Sequence, residues 1–177
     1  PSPALSQVGS TWPVDGRQVG ILVGPDTDTE QLTTLVSRIN AADMVPLVIA
    51  PQGGEVAPGV VAHRTLLTAR SIEFDAVVVA TAGAPAHQVA AGMDAKAGAP
   101  SPGDVDPRVS LLVNEMWRHA KAIVAVGPGA TALQTLQIAQ TPGVVATDSA
   151  EDALSTVTEL LGSHRVWERF PTTGMLA

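Results

Sequence analysis

The chain has no cysteine and no tyrosine among its 177 residues, and Trp and Phe together make up only 3%. Without cysteine there is no disulfide, no thiolate metal site and no thiol nucleophile, and the redox compartment is left open. With so few aromatics, the core has to be built from Ala, Val, Leu and Ile, which favours α/β layers over a β-sandwich with aromatic pillars. No Lys/Arg cluster is longer than a pair, and the net charge is -7. That argues against nucleic acid or an anionic membrane as the main partner. No apolar run approaches the ~20 residues of a membrane span, and no signal peptide is visible. No G-x-S-x-G occurs, so a serine hydrolase has no elbow here. The chain starts at Pro1 without Met, which reads as an excised fragment or a processed product.

What is present is an alternation of strands and helices. At this length one domain with a real core is expected. Residues 1–15 hold three Pro and no periodicity, and read as a linker or arm with Trp12 as a docking anchor. The domain proper is assigned to residues 16–177. Apolar runs at Val19–Val23, Val45–Ala50, Asp75–Ala80, Ala122–Val126 and Val144–Thr147 read as buried strands. Asp28 or Thr27 can cap a helix carrying Leu32, Leu35, Val36 and Ile39. Further helices are expected over Val109–Lys121 and Ala150–Leu161. Glu55–Val56 and Val60–Leu67 suit short extended segments around Gly59. Residues 82–108 read as loop, with a helix possible over Pro85–Met93. The pattern implies a mainly parallel sheet with helices on both faces.

The central motif is the turn Gly127–Pro128–Gly129 between the strand Ala122–Val126 and a helix opening at Ala130. Many α/β hydrolytic proteins lift a nucleophilic Ser or Cys on such an elbow. Gly127–x–Gly129–x–x–Ala132, trailed by Asp148, also spells a dinucleotide fingerprint. The acidic first turn, Gly24–Pro25–Asp26, and the motif's late position in the chain weigh against phosphate. A tight turn that needs small residues is the plainer reading.

Other candidates have similarly plain alternatives. Asp26, Asp28 and Glu30 could bind a divalent cation, but they also complement a helix dipole. His63, His87, His119 and His164 are scattered, and Glu115 with His119 reads as a surface i, i+4 pair. No metal site is expected. Ser110, Ser149 and Ser155 read as cap or helix residues. In the tail, Trp167 and Phe170 stand beside Arg165 and Arg169, either packed on the body or forming an interdomain or intersubunit contact.

Three stretches carry a family resemblance: Ser2–Pro3–Ala4–Leu5–Ser6, Gly16–Arg17–x–Val19–Gly20–Ile21–Leu22, and His164–Arg165–Val166–Trp167–x–Arg169. Gly54–Glu55–Val56 and Asp75–Val79 add to it. Together they resemble the C-terminal domain, with its entry linker, of large-subunit haem catalases. The resemblance implies a flavodoxin-like three-layer α/β sandwich related to class I glutamine amidotransferases and intracellular-protease-like proteins. In catalytic relatives the elbow carries Cys, and an acid follows the first strand. Gly127 stands at the nucleophile position, and the acid falls at or near Thr29 or Glu30. The resemblance therefore implies an accessory domain without catalytic or cofactor-binding residues, and Gly cannot form a covalent intermediate. It places haem and the dismutation of hydrogen peroxide in a preceding catalase core. A chain without Tyr cannot supply the family's tyrosinate ligand. The implied partners are that core and neighbouring subunits, the implied location is the cytoplasm, and a chaperone-like role is a secondary implication. The alternative is a free-standing small-molecule or nucleotide-binding member of the superfamily.

Overall fold

A computed structural model of the chain describes residues 6–83 and 105–170. The helix expected over Pro85–Met93 lies outside them. Along the chain run β1 (Gln18–Leu22), α1 (Thr29–Ala41), β2 (Val45–Ala50), β3 (Glu55–Ala57), β4 (Val60–Val61), β5 (Arg64–Thr65) and β6 (Ala76–Val79). They are followed by α2 (Pro107–Arg118), β7 (Ala122–Val126), α3 (Gly129–Thr135), β8 (Val144–Thr147) and α4 (Ala150–Gly162). Six strands form one sheet in the order β5-β2-β1-β6-β7-β8. Every pairing in it is parallel. This is the flavodoxin-like order 2-1-3-4-5 with one short strand added at the edge.

Parallel strands covered on both faces should be apolar, and β2, β6 and β7 are so throughout, whereas β1 begins at the exposed Gln18 and the edge strands β5 and β8 carry Arg64, Thr65 and Thr147. Alternate residues serve opposite layers, because a strand's side chains repeat every two positions. Val19, Ile21, Ala76, Val78, Ala122 and Val124 face the layer of α1 and α4. Leu22, Val77, Val79, Ile123 and Ala125 face the layer of α2 and α3. Phe74, almost wholly buried, packs over Gly20: a Cβ there would come within 3.1 Å of its ring.

The element ends follow local chemistry. Asp28, rather than Thr27, caps α1 and accepts from the amides of Glu30 and Gln31, each at 2.9 Å. Asp106 caps α2 with Pro107 in its first turn. That helix therefore begins within the stretch expected to be loop. It stops at Arg118, three residues short of Lys121, where Ala120 turns left-handed at φ 53°. The stretch Val60–Leu67 is not one extended segment. Gly59, at φ 73°, turns β3 into antiparallel β4, and Arg64–Thr65 then pairs with β2.

Candidate functional site

In a sheet of this order, ligands gather beyond the carboxyl ends of the strands, where the winding reverses. Here that point lies between β1 and β6. Thr27 bridges it: its hydroxyl accepts from the Gly24 amide at 2.8 Å and donates to the Ala80 carbonyl at 2.9 Å. Asp26 bridges it again, accepting from the Thr81 hydroxyl and from the Ala82 amide at 2.7 Å. Asp26, Asp28 and Glu30 are thus not pooled into a cation site. Asp26 ties two loops, Asp28 caps α1, and Glu30 is exposed in the first helical turn. Among the described residues no group of three or more His, Asp or Glu is placed to hold a metal.

The elbow itself is intact. Gly127 sits at φ 56°, the left-handed conformation a nucleophile elbow requires. There is room for a side chain, since the nearest atom to its ideal Cβ is Gln31 Oε1 at 3.8 Å. An amide, not the carboxylate of Glu30, therefore faces the elbow. Gly129 has a different reason to be glycine. A Cβ there would overlap the Val79 carbonyl, because the start of α3 is pressed against the end of β6. The two glycines hold the backbone in a tight, closely packed turn. Between Gln31, Leu32, Ala80, Val126 and Pro128 only about 10 Å³ remains open, no more than a single water requires. α3 is seven residues long and has no side-chain cap.

A model of the C-terminal domain found in long catalases matches residues 15–171. The chain belongs to that family. A search of curated proteins finds no match.

Within this catalase C-terminal domain the other sequence candidates are dispersed. His119 ends α2, and its Nδ1 lies 3.1 Å from the Ser71 hydroxyl. His63 Nδ1 accepts from the Val48 amide at 3.1 Å. His87 is outside the described residues. Ser149 caps α4, and Asp148 is exposed at the end of β8. Two shallow clefts open beside the switch point, of about 130 and 390 Å³, along Gly24–Pro25 and Pro51–Gln52.

Several charged groups whose pKa burial depresses lie at the opposite, amino end of the strands. Lys121 is buried, and its ammonium donates to the Ser71 and Phe74 carbonyls at 2.5 Å each. Burial, with Arg165 nearby, pushes its pKa down. Arg169 donates to the Pro142, Trp117 and Lys121 carbonyls at 2.7 to 3.1 Å and stacks over Trp117. Burial lowers its pKa to about 10. Asp75 takes Arg17 at 3.0 Å on one oxygen and the Gln18 amide on the other. Arg17 also reaches His164 Nδ1 at 3.2 Å, and the Trp12 ring covers that imidazole with centroids 5.5 Å apart. Burial first, then Arg165 and Arg17, depress the His164 pKa.

The sequence pattern singled out the tail but missed Lys121 and Gln31. A lone lysine ahead of an apolar strand was the only signal for the first. Gln31 carried none beyond its place one position after Glu30.

Proposed function

We propose that this chain is a catalytically silent accessory domain of a long catalase, joined to the haem core that dismutates hydrogen peroxide to water and oxygen. The supporting observation is the elbow of a chain in this family: Gly127 holds the left-handed turn, with room for a side chain, but has none to attack with. A residue without a nucleophile cannot start a covalent route. The described residues do not suit haem either. There is no Tyr to ligate iron. The domain's contribution is to stability and assembly with the core and neighbouring subunits, in a cytoplasmic enzyme without nucleic-acid or membrane partners. No helix among the described residues is long and apolar enough to cross a membrane.

Deleting residues 15–171 from the parent enzyme tests this. Haem content and turnover per haem should persist at moderate temperature, while the temperature of inactivation should fall. Loss of turnover from an assembled, haem-loaded enzyme would overturn the reading. A chaperone-like role is a second reading, supported by the exposed side chains of Leu67, Ile72, Leu111 and Phe170. It requires that the enzyme with the domain suppress heat aggregation of a client protein better than the enzyme without it.

A further inference from the structure

Among the described residues, Arg165 is a half-buried guanidinium that forms no ion pair with a carboxylate. Among the described residues four ion pairs form, Arg17–Asp75, Arg38–Glu151, Arg64–Glu73 and Arg108–Asp106, and none includes Arg165. Its one hydrogen bond goes to the His164 carbonyl at 2.8 Å. Its acidic neighbour, Asp75, has both oxygens engaged by Arg17 and Gln18. Arg17, Lys121 and His164 surround that single carboxylate as well, so the cluster is short of negative charge. Burial presses against the charge on Arg165, the nearby Asp75 offsets it only in part, and Arg17 adds to the pressure. Such a cation is costly until an anion meets it.

Two further features say what kind of anion. A cleft of about 200 Å³ lies beside Arg165, walled by Gly143, Leu160, Ser163 and Trp167, with Glu168 also lining it. The Trp167 indole is held in place by its bond to the Ser163 carbonyl at 3.0 Å, and packs on Phe170, which is 41% exposed. Arg beside a partly exposed Trp167 and an exposed Phe170 is the composition of a protein interface core rather than a small-anion site. The chain also arrives at this end: the Trp12 amide donates to the Gly162 carbonyl at 2.8 Å, and its ring covers His164. In a C-terminal domain, this is the end to which the preceding polypeptide leads.

We propose that Arg165 and the cleft beside Trp167 receive an aspartate or glutamate side chain of the catalase core, forming the polar centre of the contact between the two. The site rests on the reading that the domain works joined to such a core. Arginine is well suited to it, because its planar fork takes a carboxylate bidentately.

The test is zero-length carbodiimide coupling in the full-length enzyme carrying Arg165→Lys, with crosslinked peptides identified by mass spectrometry. An amine at position 165 should couple to one carboxylate outside residues 15–171, a link absent from the unsubstituted enzyme. In the same enzyme, Arg165→Glu should speed subunit or domain dissociation at least tenfold. Reversing the charge of the mapped core carboxylate should restore the rate. Coupling only to Asp75 or Glu168, or an Arg165→Glu enzyme that dissociates at the normal rate, would overturn the site. If core lysines still couple to other carboxylates of this domain, only the site is wrong. If no link of any kind joins domain and core, the accessory-domain reading falls too. Arg165→Gln, which removes charge without reversing it, serves if Arg165→Glu does not fold.

Discussion

The two ends of the central sheet differ in a way opposite to expectation for this fold. The carboxyl end has the geometry of a reaction site: a left-handed elbow, a helix start and the point where the winding reverses. Yet its polar side chains are spent on short internal bonds, Thr27 to Ala80 and Asp26 to Thr81 and Ala82. The amino end has no catalytic geometry, yet it gathers Lys121, His164, Arg165 and Arg169, all with depressed pKa values. Perturbed groups often mark catalysis. Here their first cause is burial, and Arg165 makes only one hydrogen bond among the described residues, to the His164 carbonyl. Elbow geometry therefore persists without a nucleophile, and perturbed charges occur without a reaction.

Substitutions at the two ends should separate these roles. Gly129→Ala should have the largest effect, about 3 kcal/mol or more in chemical denaturation, since its methyl would overlap the Val79 carbonyl. A cost under about 1 kcal/mol would mean that α3 and β6 are not packed so closely.

Lys121→Ala should follow at about 2 kcal/mol, because it takes the ammonium from the Phe74 carbonyl and leaves the Ser71 carbonyl only the Phe74 amide at 3.3 Å. An unchanged denaturation midpoint would show that water replaces the ammonium. Gly127→Ala should cost only about 1 kcal/mol. There is space for the methyl, and the left-handed backbone is the sole penalty. A loss equal to that of Gly129→Ala would remove the distinction between the two glycines.

The smallest effect is a pH dependence. The folded-state pKa of His164 lies below its usual value, so the unfolded chain binds more protons in the window between the two. Stability should hold above about pH 6.5 and decline as pH falls through that window. His164→Gln should flatten part of this slope. An identical pH profile in the variant would assign the dependence to other groups.

Much of the fold is legible in the residues. The fully apolar run Ala122–Val126 is a strand buried on both faces, and the limits of Val45–Ala50 and Ala122–Val126 match the pattern. Asp28 announces a helix start by side-chain chemistry that acts within three residues, whereas the cap at Asp106 is hidden inside a stretch that reads as loop. The elbow, too, is local, because a strand, Gly-Pro-Gly and a helix leave few other conformations. The irregular stretch from Glu55 to Thr65 is less legible, since strands of two or three residues are decided by which edge they meet.

What only the tertiary structure decided is the state of each polar group. Whether Asp26 is a ligand or a tie depends on Thr81 and Ala82, which lie across the winding reversal. Whether Lys121 is a surface charge or a buried one depends on carbonyls about fifty residues away. Whether the space by Gly127 is open depends on Gln31, a helical residue far from it in sequence. Hydrophobic periodicity and capping act over a few residues, so the sequence by itself determines the layers. Desolvation and pairing depend on what the folded chain sets nearby, so the fate of each charge is settled only in three dimensions.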